Sequence, residues 1–317
     1  MSSTLPFDKE AYLERIGLPT DPVELGSENS LAFLTKVVVH HHLAIPFENL
    51  AACGVFPVDR GHVQDSAVER ISLDADKIFQ KLVTDKRGGY CFEQNALLAA
   101  ALRAFGFTVD TLAARVVIPF QSDATAGLRL TGLSHMIMLV RCEGETSQYL
   151  CDVGFGGRGQ PPSPLPLNED HVVETKGGEK YQLKRVHLER HASPSTYSGD
   201  FLLVATAPPA ASTFWGVYYK TQQAGDFHAS YVFSTENLMA HADYIPANWY
   251  VSTSPHSRFT QAATCAKRTE AGLLSLLGMT FNHIEYGQVV ESKTLTSTAE
   301  VLNVLEDRFG LVPPSPQ

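Results

Sequence analysis

A change of pattern at Phe107 limits the architectures open to this chain. Before it, helix-forming runs carry terminal signals: Ser30 precedes an apolar run that Pro46 ends, and Gly17 and Gly106 follow two further runs. After it, β-branched runs alternate with turn-rich pieces, which is typical of an antiparallel sheet or barrel. We therefore predict a helical region, then β-structure, then a mixed region. The predicted helices span about 8–17, 30–45, 74–83 and 91–106.

The last third of the chain mixes both patterns. Residues 269–278 (TEAGLLSLLG) are predicted to be helical, and residues 296–310 are predicted to form an amphipathic helix. The Pro- and Ala-rich stretch 207–212 is the best candidate for a boundary. At about 150 residues per domain, 317 residues favour two units, whereas the order of the motifs favours three. The predicted units are 1–106, 107–210 and 211–317.

The charge balance argues against nucleic acid as a partner. Lys and Arg total 25 against 34 Asp and Glu, for a net charge of −9. Sequence-independent nucleic-acid binding needs basic clusters that neutralise phosphates, and the chain has no basic run. No uninterrupted apolar run approaches the ~20 residues of a membrane span. The polar N-terminus lacks a signal or transit pattern, so we expect a cytoplasmic protein without a membrane partner.

Five cysteines occur in the chain, without any Cys-x-x-Cys pair. This pattern argues against a disulfide framework or a structural zinc site, and it indicates a reduced compartment. The three consecutive histidines at 40–42 would point about 100° apart on a helix, so they cannot all meet one ion. We expect one or two buried histidines on a helix face instead, and no metal.

Cys91 has a position suited to chemistry. In the segment RGGYCFEQN (87–95), it lies where a predicted helix begins, directly after two glycines and a tyrosine. Unpaired N–H groups and the positive end of the helix dipole favour a thiolate there. Position alone supports a half-buried structural cysteine equally well, because free cysteine is commonly a buried apolar residue.

A nucleophilic thiolate needs a base, and the base needs a group that orients it. His135 opens the apolar run HMIMLVRC, and Asp152 follows the run QYLC, with the turn-like CEGETS between them. A hairpin folded between Glu143 and Gly144 would set His135 directly opposite Asp152 on one face. Singly, each would be an ordinary structural residue. Together with Cys91 they predict a Cys–His–Asp triad.

Four motifs, in order and with compatible spacing, resemble those of the arylamine N-acetyltransferase family. RGGYCFEQN (87–95) is similar to the family's RGG[FY]CFE, IPFENL (45–50) to its [IV]PFENL, TGLSHMIMLV (131–140) to its T-x-x-[TSV]-H strand, and DVGFG (152–156) to its D-[VA]-G-F-G. Smaller matches at 12–17, 248–259 and 305–311 extend the resemblance to nearly the whole chain. The segment 58–70 is an insertion relative to compact members, and the match is loose at 120–131 and in the C-terminal third.

The resemblance implies an α+β multi-domain fold. Its parts would be an N-terminal helical bundle, a central antiparallel β-barrel and a C-terminal α/β lid, with a triad like that of cysteine proteases. Carried over residue by residue, the family implies Cys91 as the nucleophile, His135 as its base and Asp152 as the residue that orients the base.

The resemblance also implies the ligand contacts. Thr131 and Gly132 match positions that contact CoA. Phe47 and Phe155 match aromatic positions that line the acceptor pocket, although ordinary core phenylalanines would fit the sequence nearly as well.

The implied reaction is ping-pong acyl transfer. Cys91 would take the acyl group from acetyl-CoA, and an arylamine, arylhydrazine or N-hydroxy-arylamine would accept it, as in xenobiotic metabolism. Malonyl-CoA is the alternative donor: Arg158 could pair with the malonyl carboxylate, although a solvated arginine fits the sequence better. Two other classes stay open, a cysteine hydrolase with the same triad and a non-catalytic protein that binds CoA. A monomer or weak homo-oligomer is expected.

Overall fold

The computed structural model describes residues 6–21, 29–56, 70–118, 128–191, 200–204, 212–222 and 225–313. Its helices are α1 (Lys9–Ile16), α2 (Leu31–Ala44), α3 (Ala75–Phe79), α4 (Cys91–Ala104), α5 (His241–Thr253) and α6 (Thr298–Phe309), with a π-helical turn at Gln80–Thr84 and a 3₁₀ turn at Arg258–Thr260. Its strands are β1 (Phe47–Glu48), β2 (Thr108–Ile118), β3 (Leu128–Arg141), β4 (Gln148–Cys151), β5 (Leu165–Pro166), β6 (Val172–Glu174), β7 (Lys180–Arg185), β8 (His187–His191), β9 (Asp200–Val204), β10 (Phe214–Lys220), β11 (His228–Leu238), β12 (Thr264–Arg268), β13 (Gly272–Leu277), β14 (Thr280–Glu285) and β15 (Gln288–Thr294).

Local capping signals set the helix ends. Asp8 accepts a hydrogen bond from the Ala11 N–H at 3.0 Å, and Gly17 ends α1 in the left-handed region with φ 71°. Ser30 accepts from the Phe33 N–H at 3.2 Å and starts α2 in the same way. The predicted helices of the first hundred residues and the predicted C-terminal helix are confirmed.

The helix α4 lies at the centre of the helical region. It packs against α1, α2 and α3 and also against β2 and β3. Most of its residues are buried, and a helix that is buried on nearly every side belongs to a core. Cys91, its first residue, is therefore held at the junction of the helices and the sheet.

The large sheet is antiparallel and forms a nearly closed barrel. Its strands follow the order β5-β4-β3-β2-β11-β10-β7-β6, β9 pairs with β3 and β8, and β5 approaches β7. Leu112, Ile137, Leu139, Tyr231 and Phe233 fill its interior with other apolar side chains. The predicted antiparallel barrel is confirmed. Because β10 and β11 pair with β7 and β2, this sheet continues beyond residue 210, and the division into three units stays a prediction.

The second sheet has the order β1-β12-β13-β14-β15, and α6 packs on it. The prediction of a helix at 269–278 is wrong, because this segment forms β13. Leu273, Leu274 and Leu276 are all buried there, and a strand buried on both faces gives the same continuous apolar run as a buried helix. A Cβ at Gly272 would lie 2.1 Å from the Ile284 carbonyl oxygen, so the neighbouring strand requires glycine at this position.

Several sequence predictions fall outside the described residues. These are nearly all of the insertion 58–70, most of the loop 120–131 and the boundary 207–212 except its last residue. In the part of the chain that the structure describes, no helix combines the length and apolar character needed to cross a bilayer.

Candidate active site

Cys91 occupies the first position of α4 and is buried, with 5% of its surface exposed. Its Sγ lies 3.8 Å from the carbonyl oxygen of Ser134, on the neighbouring strand β3. The first-turn N–H groups of a helix carry partial positive charge, which stabilises an anion at this position. The Cys91 side chain therefore lies at the end of α4 that carries partial positive charge.

The two glycines of RGGYCFEQN lie in close contacts, Gly88 with the motif IPFENL and Gly89 with Glu93 in the first turn of α4. A Cβ at Gly88 would lie 2.3 Å from the Pro46 carbonyl oxygen, and one at Gly89 would lie 2.9 Å from the Glu93 carboxylate. The Glu48 N–H donates to the Gly89 carbonyl at 3.0 Å. IPFENL and RGGYCFEQN thus form one packed unit that sets the start of α4.

Four charged side chains form a largely buried cluster beside this turn. Lys81 Nζ lies 2.6 Å from Glu93 Oε1 and 3.7 Å from Glu48 Oε1, and Arg87 Nη2 lies 3.6 Å from the same Glu48 oxygen. The second Glu93 oxygen accepts from the Tyr90 N–H at 3.1 Å. Burial raises the pKa of Glu93, and the nearby Lys81 charge partly offsets that rise. Sequence reasoning missed Lys81, because it lies outside every motif.

His135 and Asp152 meet on one face of the β3–β4 hairpin. His135 Nε2 lies 2.8 Å from Asp152 Oδ2, and both residues are buried. Met138 pairs with Cys151, a register that sets Ile137 rather than His135 opposite Asp152. The predicted direct pairing is therefore wrong by two residues. Strand side chains alternate with period two, so this shift leaves both residues on the same face as diagonal neighbours.

The second oxygen of Asp152 is also satisfied. Its Oδ1 accepts from Asn95 Nδ2 and from the Gly154 N–H, each at 2.9 Å. Asn95 Nδ2 also donates to the Met136 carbonyl at 2.7 Å, so it joins α4 to β3 and to the end of β4. Sequence reasoning missed Asn95, although its position four residues after Cys91 places both on one face of a helix.

The electrostatics of this group favour charge on His135. Burial alone would lower the pKa of His135, but the Asp152 carboxylate, with the Cys91 thiol, outweighs it and raises that pKa to about 10. Burial opposes ionisation of Asp152, yet the His135 charge and the donors Asn95 and Gly154 lower its pKa. At neutral pH the arrangement therefore favours an imidazolium at His135, held beside the Asp152 carboxylate and the Cys91 thiol.

Two aromatic rings flank the His135 imidazole. The Phe155 ring approaches it edge-on, with centroids 5.3 Å apart, and the Tyr231 ring lies 5.0 Å away. Tyr231 is fully buried, and burial together with the Asp152 charge raises its pKa well above the ordinary value. Sequence reasoning missed Tyr231, because it comes from β11, a strand that no motif covers.

Phe47 lies in the same apolar cluster as Cys91. Its ring packs against Phe259 at 6.1 Å and against the turn that carries Phe155, where a Cβ at Gly156 would lie 2.6 Å from a ring atom. The structure therefore brings the two predicted acceptor-pocket phenylalanines to the same turn after β4.

Thr131 and Gly132 lie on β3, four and three residues before His135. Thr131 Oγ1 accepts from the Val116 N–H at 2.8 Å and lies 3.1 Å from Ser134 Oγ. Gly132 is exposed, and among the described residues no atom lies within 4 Å of where its Cβ would be, apart from its chain neighbours. Both residues thus lie on the strand that leads to the Cys91 thiol.

The other four cysteines and the histidine run lie in surroundings that suit structural roles. The other four cysteines are free thiols whose pKa values burial raises, that of Cys142 to about 11. As predicted for the histidine run, two members are buried: His41 bonds Gln94 at 2.7 Å and His42 bonds Gln160 at 2.7 Å. Across the described ranges, no set of three or more His, Cys, Asp or Glu side chains is placed to hold a metal ion.

The whole chain resembles known enzymes. A family model described as N-acetyltransferase matches residues 30–314. The chain is 32% identical to an arylamine N-acetyltransferase of Mycolicibacterium smegmatis, over 97% of this chain and 93% of that protein. It is 30% identical to arylamine N-acetyltransferase 2 of Macaca mulatta, over 96% and 94%. The solved structure of Mycobacterium marinum arylamine N-acetyltransferase in complex with CoA superposes with a TM-score of 0.73 and 27% identity, covering 96% of this chain and 92% of that one. The chain belongs to the arylamine N-acetyltransferase family.

Proposed function

We propose that this protein moves an acetyl group from acetyl-CoA to an arylamine through an acyl-cysteine on Cys91. The observation that supports the proposal most directly is the His135 ring, held 2.8 Å from the Asp152 carboxylate and beside the Cys91 thiol at the first turn of α4. In this proposal Cys91 is the nucleophile and His135 is its base. Asp152 orients His135 and stabilises its protonated form.

The first half-reaction forms the acyl-enzyme. The Cys91 thiolate attacks the thioester carbonyl of acetyl-CoA, the carbon–sulfur bond to CoA breaks, and the CoA thiolate takes the proton held on His135. One thioester replaces another, so this step is nearly isoenergetic and the acyl group stays reactive. The first-turn N–H groups of α4 are suited to stabilising negative charge near the reacting carbonyl.

The second half-reaction releases the amide. The amine nitrogen attacks the acyl carbon of the intermediate, the bond to Cys91 Sγ breaks, and the amine proton passes to His135 as general base. An amide forms from a thioester, which makes this step downhill. The end state restores a thiolate on Cys91 and a proton on His135, ready for another donor.

The donor would approach along β3. Thr131 and Gly132 are the proposed CoA contacts: Gly132 is exposed on the strand that leads to Cys91, and a relative has been solved in complex with CoA. The second sheet with α6 is proposed as the lid. Malonyl-CoA is a second donor candidate through Arg158, which is exposed on the turn after β4.

The acceptor would pack its ring on Phe47 and Phe155. Phe155 contacts the His135 ring edge-on, so an aromatic amine seated against it would bring its nitrogen close to the acyl group on Cys91. Arylamines, arylhydrazines and N-hydroxy-arylamines share this combination of a flat ring and a nucleophilic nitrogen.

Intact-mass spectrometry tests the proposal. Acetyl-CoA should add one acetyl group to Cys91, aniline should remove it as the amide, and Cys91→Ala should show neither event while it stays folded. Cys53→Ser, a change at a half-buried thiol that packs on a different apolar cluster from the one that contains Cys91, should behave as wild type. Substantial turnover by Cys91→Ala would contradict the proposal.

The same assay separates the alternatives. A malonyl adduct that forms faster than the acetyl adduct would make malonyl-CoA the preferred donor. Peptide or ester cleavage without CoA would indicate a cysteine hydrolase, and CoA binding without any adduct would indicate a non-catalytic protein.

A further inference from the structure

The turn between β4 and β5 carries Phe155 but has little conformational preference of its own. Gly156, Gly157 and Gly159 all adopt left-handed backbone angles, with φ of 73°, 83° and 90°. Glycine populates these angles freely, and it loses the most conformational freedom when it is ordered. Side chains outside the glycines must therefore fix where Phe155 lies.

The buried Gln160 side chain bridges this turn to the helical region. Its Oε1 accepts from the Gly156 N–H at 2.6 Å, and its Nε2 lies 2.7 Å from His42 Nδ1 on α2. Burial, with smaller contributions from the charges of Arg268 and His41, lowers the pKa of His42 to about 3. His42 is thus neutral at working pH, and its Nδ1 can accept the Gln160 amide proton.

The backbone of Gln160 is anchored as well. Arg268 Nη2, on β12, donates to the Gln160 carbonyl at 2.5 Å and to the Tyr181 hydroxyl at 2.7 Å. Arg268 Nη1 lies 3.4 Å from Glu179 Oε2, and both residues are largely buried. The residue after the glycine turn is therefore tied to α2, to the second sheet and to the barrel.

We infer that Gln160 is a positioning residue that holds Phe155 against the His135 ring and so determines which aromatic amines the acyl-enzyme accepts. The inference rests on the proposed function. The Gly156 N–H donates a hydrogen bond to Gln160, and Gly156 follows Phe155 in the chain. Displacement of this turn would therefore move the Phe155 ring. Gln160 takes no part in the Asp152–His135 hydrogen bond or in the first turn of α4. The rate of the donor half-reaction should therefore stay unchanged when Gln160 is replaced.

The test compares two acceptors and both half-reactions in Gln160→Met, which keeps the side-chain length and loses both side-chain hydrogen bonds. 4-Aminobiphenyl presents rings to Phe155, whereas hydrazine has none. We expect KM for 4-aminobiphenyl to rise about tenfold, the factor that corresponds to roughly one net hydrogen bond. KM for hydrazine and the single-turnover rate of Cys91 acetylation should stay within about twofold of wild type.

Three further variants complete the design. Gln160→Glu keeps an oxygen that can accept from the Gly156 N–H, and it should recover part of the affinity for 4-aminobiphenyl. Gln160→Asn is one methylene too short to span both partners, and it should reproduce the acceptor-specific change even if Gln160→Met does not fold. Gln261→Met is the matched control, because Gln261 is an exposed glutamine that donates to the Pro255 carbonyl in another loop.

The outcomes are distinct. Equal losses with both acceptors and in Cys91 acetylation would reduce Gln160 to a general structural role and overturn the inference. Unchanged KM values in folded Gln160→Met and Gln160→Asn would also overturn it. Failure of the wild type to acetylate Cys91 would instead contradict the proposed function, and that result is read before any variant is compared.

Discussion

Lys81→Met should destabilise the protein by about 3 kcal/mol at pH 8. Lys81 Nζ lies 2.6 Å from Glu93 and 3.7 Å from Glu48, and only 16% of the Lys81 side chain is exposed. Removing one partner of a buried ion pair costs about 3–5 kcal/mol, because the other charge is left uncompensated. The lower end of that range applies, because Arg87 remains 3.6 Å from Glu48 and only Glu93 loses its nearest cation.

The loss should shrink in acid. Burial already raises the pKa of Glu93, and Lys81 opposes that rise, so the variant should raise the pKa further. A carboxyl whose pKa is raised by folding binds its proton more tightly in the native state, so stability falls as the pH rises above the unfolded value of about 4.3. Between the Glu93 pKa of the wild type and the higher pKa of the variant, each pH unit adds about 1.4 kcal/mol to the difference in stability between the two proteins, so the destabilisation should be smaller at pH 5 than at pH 8.

Urea unfolding followed by circular dichroism measures the destabilisation of Lys81→Met at pH 5 and at pH 8. Lys77→Met is the matched control, because Lys77 is exposed in the same helical segment, and it should change the unfolding free energy by less than about 0.5 kcal/mol. Equal destabilisation of Lys81→Met at the two pH values, or a loss no larger than that of the control, would refute this account of the cluster.

Three further outcomes are expected. The unfolding free energy of the wild type should fall as the pH rises from about 6.5 toward about 10, because the native state holds the His135 proton more tightly than the unfolded chain does. In urea titrations Asp152→Asn should abolish this slope between about pH 6.5 and about pH 8, since burial then lowers the His135 pKa, whereas the buried thiols keep a slope of their own above about pH 8.5. Gly154→Ala should lower activity and cost about 1–3 kcal/mol in thermal unfolding, because its Cβ would lie 2.6 Å from the Cys91 Cα, whereas Gly225→Ala should be neutral in an open position. Iodoacetamide should label Cys91 before the other four thiols, whose pKa values are raised by burial, and peptide mapping after partial labelling would reveal any other order.

Helix ends were readable from the sequence because capping acts within a few residues. Ser30 begins α2, and Gly17 and Gly310 end α1 and α6, where the structure has them in cap positions. The predicted change from helices to strands at Phe107 is confirmed for a similar reason, because hydrophobic periodicity is a local property of each segment.

The predicted contact between His135 and Asp152 is present, although the predicted register of the hairpin is wrong. The hairpin is shifted by two residues from the predicted pairing, yet both side chains stay on one face because the strand repeat is two. A shift of one residue would have separated them. Sequence reasoning could therefore propose the pair without the correct register.

The sequence alone determined the capped helices, the β-region and the set of residues proposed for chemistry, because each depends on neighbours a few positions away or on motif order. Only the tertiary structure decided that 269–278 is a strand, since two flanking strands bury it on both faces. It also decided that Lys81 pairs with Glu93, that Asn95 and Tyr231 surround the His135–Asp152 pair, and that Gln160 reaches His42. These last contacts join segments far apart in the chain, and no local pattern records which distant side chain satisfies a buried polar or charged group.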